Sequence, residues 1–260
     1  MMRWQRIAAR GVSGAIALAR CAAASRSGFR VLMYHAVGSA AADDTLGIYC
    51  ISPELFAQQV AALIEYDNAT LVSLEQGLTA TAALRIAVTF DDGYRDNLYR
   101  AAPVLQAHSI PFTVFVCTGF MHEASGNYLA PAELRELAAL PGVTIGSHGA
   151  THARLTDLDE RALRDELTTS KALLEEITGR SVTSLSYPHG AVDRRVRDAA
   201  AAAGYTVGAT SRFDVNDATR DPLLLCRSDI LGIDSVRVFK QKLHGDWDWY
   251  RSRSVDPAAS

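Results

Sequence analysis

The sequence predicts an α/β protein built on a parallel sheet that closes, or nearly closes, into a barrel. Three observations carry this. Short apolar runs of strand character alternate with helical stretches six or seven times, the pattern of repeated βα units. No internal repeat or linker divides the 260 residues, and a single barrel uses that length better than an open sheet. The segments richest in reactive side chains fall at strand ends, where barrels of this kind collect their chemistry.

The first strand is read over Phe29–Tyr34, ending at His35, and a loop rich in Gly, Ser and Asp runs to Ile51. Ser52-Pro53-Glu54 opens a helix, with a serine cap, proline at the first helical position and an early acid. Its apolar positions recur at helical spacing to Tyr66. Leu71–Leu74 is a short strand or loop before a small helix. Ile86–Phe90 is a buried strand, followed by a helix over about 96–108 that Ile110-Pro111 breaks. Phe112–Cys117 is a strand, Pro131–Ala139 a helix and Val143–Ser147 a strand. The longest helix is placed at Thr156–Thr178, capped by Thr156 or Asp157 and ended by Gly179. Val182–Tyr187 is a strand, Val192–Ala203 an alanine-rich helix and Tyr205–Ala209 a strand. A last strand within Arg227–Ile233 and a last helix over Val236–Leu243 complete the pattern, and the chain after Trp249 reads as frayed. The organisation is thus a basic N-terminal segment (1–28), a barrel domain (29–245) and a tail (246–260).

Composition bounds the function. Apolar residues make up 48% and charged residues 21%, ordinary for a globular protein. A net charge of −3 gives no footprint for nucleic acid. Cys21, Cys50, Cys117 and Cys226 are far apart, so neither a thiolate metal site nor a redox pair is indicated. The chain does not look disulfide-built, which favours the cytoplasm or the periphery of the inner membrane, with export to the periplasm as the alternative. In the first 28 residues Arg3, Arg6 and Arg10 precede a small apolar stretch broken by Gly11, Ser13 and Gly14. This reads equally as a weak secretion signal or as a basic amphipathic helix in peripheral contact with a membrane. Nothing indicates an oligomeric state.

Three segments at strand ends carry the chemistry: Asp91-Asp92-Gly93, His148-Gly149-Ala150-Thr151-His152 and Tyr187-Pro188-His189-Gly190. Adjacent acids repel and are costly to bury, so a strand seldom ends in two of them for stability alone, although a charged turn is the plain alternative. Histidines four apart can aim both imidazoles one way if the backbone turns helically. Two imidazoles and a carboxylate suit zinc, iron or cobalt. One aspartate would then complete the metal site and the other remain free as general base. A metal ion lowers the pKa of water from about 15.7 towards 7, and a base within reach takes the proton as water attacks a carbonyl. The Pro-His-Gly turn could offer a backbone N–H to the resulting oxyanion.

With these residues assembled, the chain resembles the polysaccharide deacetylase family, the NodB-homology domain of carbohydrate esterases. Thr89–Gly93 matches T-F-D-D-G. His148–His152 matches the spacing of H-[ST]-x-x-H, with Gly149 in the hydroxyl position. Tyr187–Gly190 matches Y-P-Y-G, with His189 in the aromatic place. The opening Val31-Leu32-Met33-Tyr34-His35 is similar to members found with exopolysaccharide gene clusters, including poly-N-acetylglucosamine deacetylases. The resemblance implies a distorted (β/α)7 barrel and metal-dependent N-deacetylation of an N-acetylated sugar in a polysaccharide, oligosaccharide or glycolipid. It implies Asp91 as catalytic base and Asp92, His148 and His152 as ligands of a divalent metal, Zn2+ first, with Co2+, Ni2+ or Fe2+ as alternatives. The N–H of His189 becomes the oxyanion donor, with Tyr187, Pro188 and Gly190 around the sugar.

The chain also departs from the pattern. The arginine that orients the base in the third motif falls on Ser186, and Arg227 is the candidate to replace it, or to bind substrate. The late histidine that protonates the leaving amine has His244 as its only late match, at the wrong spacing, with His35 and His189 competing for that role or for the substrate. The same groups would serve a sugar O-deacetylase or a deformylase. A carbohydrate-binding protein with a degenerate site is the non-catalytic alternative, against which the four intact residues argue. No G-x-S-x-G elbow is present for a serine esterase.

Overall fold

A computed structural model of the chain describes residues 13, 27–39, 44, 47–67, 69–79, 84–123, 126–253 and 256. Residues 1–26, Ser13 excepted, and with them the readings of the basic N-terminal segment, lie outside these residues, and Gly28, the last residue assigned to that segment, opens the first strand. No helix among them is long and apolar enough to cross a membrane.

The strands are β1 (Gly28–Tyr34), β2 (Ala36–Val37), β3 (Cys50–Ile51), β4 (Thr70–Leu71), β5 (Leu84–Phe90), β6 (Phe112–Val116), β7 (Val143–Ser147), β8 (Ser184–Ser186), β9 (Val207–Ala209) and β10 (Ser228–Asp229). The α-helices are α1 (Pro53–Ile64), α2 (Gln76–Thr79), α3 (Ala102–Gln106), α4 (Pro131–Ala139), α5 (Glu160–Thr178), α6 (Arg194–Ala202) and α7 (Val236–His244). The main sheet is parallel and runs β10-β1-β5-β6-β7-β8-β9, with β4 beside the first half of β5. Its outer strands approach each other through a parallel bridge, Ala209 to Leu225. The strand order follows the chain without reversal, so the sheet curls into a distorted barrel, as the sequence predicts.

Strand alternation sorts side chains into two layers. Leu32, Tyr34, Ile86, Val88, Phe90, Val114 and Ile145 pack outward under the helices. Phe29, Val31, Ala87, Phe115, Val207, Ala209 and Leu225 fill the barrel interior. The same parity carried past the strand ends turns His35, Asp91 and His148 to the interior side, at the carboxyl end of the barrel.

Three elements differ from the sequence reading. The helix expected over about 96–108 opens as a π-turn, Asn97–Ala101, before α3. Pro103 has no N–H to give to Tyr99, and the widened turn lets Ala102 bond Asn97 instead. The longest helix begins four residues late. Asp159 caps it by accepting the Ala162 N–H at 2.8 Å, while Leu155–Asp157 is a separate 3-10 turn. Buried Leu155 and the bonds of Arg195 to the Leu155 and Thr156 carbonyls hold that turn apart. Residues 246–253, read as tail, stay against the barrel. Asp248 makes a buried pair with Arg30, Trp247 packs on Phe213, and the Trp249 indole donates to Ser13.

Candidate active site

Asp91 continues the interior row Ala87, Thr89 beyond β5. Its N–H bonds the Tyr34 carbonyl at 2.9 Å, so β1 still pairs with the chain at this point. Both carboxylate oxygens are engaged: Arg227 donates to Oδ1 and to Oδ2, each at 2.7 Å, and the Ser186 hydroxyl donates to Oδ2 at 3.1 Å. Arg227 is itself fixed inside the barrel. Its Nε donates to the Thr210 carbonyl, a second Nη2 bond goes to Ser186, and its cation lies over the Phe115 ring. Burial works against a charge on Asp91, but Arg227 and then His148 outweigh it and hold the carboxyl below its ordinary pKa.

Asp92 turns the other way. Its backbone is left-handed, φ 72°, and Gly93 follows at φ 77°, where a Cβ would meet Val116 at 2.9 Å. The turn brings Asp92 Oδ1 to 3.3 Å from His148 Nε2 and 3.4 Å from His152 Nε2. The three ligand atoms all lie within 4.8 Å of one another. The histidines do not converge through a helical turn, as their spacing suggested. They converge through a loop with left-handed backbone at Gly149 and at His152.

A divalent cation fits this donor set. His148 Nδ1 is 2.8 Å from the Ser186 carbonyl, which can only accept, so Nδ1 carries the proton and the Nε2 lone pair faces Asp92. Asp92 Oδ1 is buried without a hydrogen-bond donor in good geometry. A buried oxygen facing two imidazole nitrogens calls for a positive charge at their centre. Burial would raise the Asp92 carboxyl, but His148 and His152 pull it well below its ordinary pKa. Burial opposes charge on His148 also, and Asp91 and Asp92 reverse this and raise it.

The remaining sequence candidates divide sharply. His35 stands at the end of β1 beside the Tyr49 ring, with a buried Nδ1 that has no hydrogen-bond partner among the described residues. Burial lowers its pKa, against the pull of Asp92 and Asp91. His189 is left-handed, φ 58°, with its ring 4.5 Å from that of His152 and Nε2 3.1 Å from the His152 carbonyl. Pro188 packs towards Gly149 and Gly190 against Ser211. Three placements are corrected. Tyr187 lines no sugar pocket: it is fully buried in the helix-side core, donating to the Leu223 carbonyl. Arg227 presents no surface to substrate, being fully buried and turned onto Asp91. His244 ends α7 against the Tyr66 ring just beyond the end of α1, and helix ends after parallel strands lie at the amino face, away from the site.

Several supporting residues gave no sign in the sequence. Asp96 accepts the Val37 and Ser39 N–H groups, and Asn97 donates to the His35 carbonyl, so the π-turn braces the loop after β1. Phe120, Tyr128 and Tyr94 form a row of ring contacts that begins on His152. Glu166 and Ser170 reach the histidine loop from α5. None has a local signature, because each acts across a long stretch of chain.

An α/β barrel here ends its strands in one carboxylate and two imidazoles around a common point, a donor set that could hold a metal ion, beside a second, arginine-held carboxylate. The chain belongs to the polysaccharide deacetylase family, whose sequence profile matches residues 79–208, half of its length. It is 28% identical over 199 residues to the putative polysaccharide deacetylase YxkH of Bacillus subtilis, covering 74% of this chain and 66% of that protein. It is 32% identical over 116 residues to the peptidoglycan-N-acetylglucosamine deacetylase PgdA of Listeria monocytogenes, 44% of this chain but 23% of that longer protein. Among solved structures, a polysaccharide deacetylase from Bacillus cereus matches with TM-score 0.71 at 27% identity, over 83% of this chain and 69% of that one. The fold alone is shared with the Streptococcus pyogenes deacetylase PplD, TM-score 0.74 at 24% identity, over 84% of this chain and 99% of that one. It is also shared with IcaB from Ammonifex degensii, TM-score 0.69 at 22% identity, over 85% and 97%.

Proposed function

We propose that the protein is a metal-dependent hydrolase that removes N-acetyl groups from an N-acetylated amino sugar in a polysaccharide, oligosaccharide or glycolipid. The observation that carries this reading is the division of labour between neighbours: Asp92 faces His148 and His152, and Asp91 faces Arg227. The name of PgdA, a peptidoglycan-N-acetylglucosamine deacetylase, supports the reaction class. Asp92, His148 and His152 would hold the ion, Zn2+ being the first choice. Bound there, it would lower the pKa of water and polarise the acetyl carbonyl.

The chain's own groups do the rest. Asp91, kept ionised by Arg227, accepts a proton from water as its oxygen adds to the acetyl carbon. The N–H of His189 stabilises the negative charge that develops on the carbonyl oxygen. His35, on the interior side beyond β1 and kept neutral by burial, passes the proton taken up by Asp91 on to the departing nitrogen, so that the C–N bond breaks to acetate and a free amine. Burial of Asp91 and His148 keeps bulk water from screening these charges.

The test is metal analysis together with acetate, formate and amine release from N-acetylglucosamine oligomers. Wild type is expected to retain a divalent metal and to release acetate and amine in equal amounts. Asp91→Asn should keep the metal and lose turnover, and His148→Ala should lose both. A metal-loaded wild type that frees no acyl group from these oligomers would point instead to sugar binding alone. Formate in place of acetate would reassign the bond.

A further inference from the structure

We propose that Glu166 is a positioning residue for the Asp92–His148–His152 centre: from α5 its carboxylate sets the backbone of the 148–152 loop and thereby the affinity for a divalent cation. The assignment rests on reading that centre as a metal site.

The loop has to be held from outside. Two of its residues, Gly149 at φ 78° and His152 at φ 62°, are left-handed, and the second is a proposed ligand with a full side chain. Such backbone persists only where its surroundings over-determine it. The carbonyl side is held by β6 and the turn after it: Thr118 N–H bonds the Gly149 carbonyl at 3.2 Å and Gly119 N–H bonds that of Ala150 at 2.7 Å. The N–H side is held by one carboxylate. Glu166 Oε2 accepts from Ala150 N–H at 2.7 Å and Thr151 N–H at 3.0 Å, and Oε1 accepts from the Thr151 hydroxyl at 2.5 Å.

A second grip comes from the same face of α5. Ser170 lies four residues after Glu166, one turn along the helix. Its hydroxyl pairs with that of Ser147 at 2.9 Å, and Ser147 Oγ accepts the Gly149 N–H at 3.2 Å. The two helix residues therefore fix the loop on either side of Gly149.

Gly149 shows why the support comes from α5. A Cβ built there would stand 3.1 Å from Glu166 Oε2. A side chain at this position would crowd the carboxylate, and with glycine in place Glu166 occupies that space. Its bonds run to the loop, while Leu163, Leu167, Leu174 and Ile177 anchor α5 in the core independently. Removing the carboxylate should therefore loosen the loop more than the helix.

The experiment measures Zn2+ affinity by competition with a chromophoric chelator, and the visible spectrum of the Co2+-loaded protein. It compares metal-stripped wild type with Glu166→Ala and Glu166→Gln, each checked for folding by circular dichroism and thermal melting. Residues that orient metal ligands from behind are typically worth about 10–100-fold in affinity. Glu166→Ala is expected to lose that much and to change the Co2+ bands, because His152 no longer sits in register. Glu166→Gln keeps one carbonyl oxygen for the N–H groups and should fall between. A folded Glu166→Ala with wild-type Zn2+ affinity and an unchanged Co2+ spectrum overturns the assignment. Should that variant not fold, the same result in Glu166→Gln overturns it. A wild type that binds no Zn2+ overturns the metal reading, and this assignment with it.

Discussion

Among the described residues two buried arginine–aspartate pairs lie in this barrel, and they are built for different ends. At the carboxyl end of the strands Arg227 grips Asp91 with two bonds of 2.7 Å, both side chains almost fully buried. On the helix side of β1, Arg30 meets Asp248 with bonds of 3.0 and 3.2 Å, again without exposure. Burial, charge and fork geometry are nearly the same. The neighbours differ. Asp91 sits beside a second carboxylate that faces two imidazoles, and its partner is aligned by Ser186 and Thr210. Asp248 has Ser228 beside its arginine and serves to fasten residues after α7 to the first strand. A buried ion pair is weak evidence of either stability or function in itself. The groups that share its space decide which it is.

Replacing the acid in each pair gives the largest contrast. Asp91→Asn should lower turnover by about 10²–10⁴, the usual contribution of a general base, with metal retained. Asp248→Asn leaves a buried guanidinium unpaired and should cost about 3–5 kcal/mol of stability, with kcat per folded molecule unchanged. Denaturant melts and acetate release on the same two variants check both. Loss of activity in Asp248→Asn without loss of stability would erase the distinction.

Changing the arginine is the finer version. Lysine keeps the charge and loses the fork. Arg227→Lys is expected to reduce kcat about 10–100-fold, since small misplacement of a reacting group is enough for that. Arg30→Lys should show in the melting curve alone. The pH dependence sharpens the point. Arg227 holds the Asp91 carboxyl below its ordinary pKa, so removing it in Arg227→Gln must raise that pKa. The acid limb of kcat/KM should then move to higher pH. The sign for stability follows from the same shift. The contribution of Asp91 is fully present above the ordinary aspartate value, near 3.9, and is lost as pH falls through the lower folded value. An acid limb that stays in place in Arg227→Gln would remove Asp91 from the proton transfer.

The sequence made one side of this contrast legible and hid the other. Asp91, Asp92, His148 and His152 were readable because each motif is contiguous and ends a strand. Strand alternation even indicates which aspartate continues the interior row: Ala87, Thr89 and Asp91 share a face. The pairing of Arg227 with Asp91 joins residues 136 apart, so only the family motif's missing arginine, at Ser186, pointed to it. Arg30–Asp248 spans 218 residues and had no motif at all. Tyr187 failed as a sugar contact for the opposite reason. Its motif was right, but the alternation that turns Ser186 inward turns Tyr187 out to the core, where its hydroxyl finds the Leu223 carbonyl. The start of α5 was less legible than those of α1, α4 and α7, because Asp157 and Asp159 both offer caps and a remote arginine, Arg195, chooses between them.

The smallest expected effect tests the geometry most economically. His244 matches the late histidine by position in the chain, and His35 matches nothing by position, yet parity on β1 turns His35 to the interior side while His244 lies against Tyr66 at the far end of two helices. His244→Gln removes an exposed ring from a helix end, a change ordinarily within about 0.5 kcal/mol, and should leave kcat and its pH profile as they were. His35→Gln should lower kcat by about 100-fold or more, as removal of a proton donor does. A reversal, with His244→Gln inactive and His35→Gln active, would require the end of α7 to reach the carboxyl face. The packing of α7 on α1 does not permit that without unmaking the core around Phe239 and Leu243.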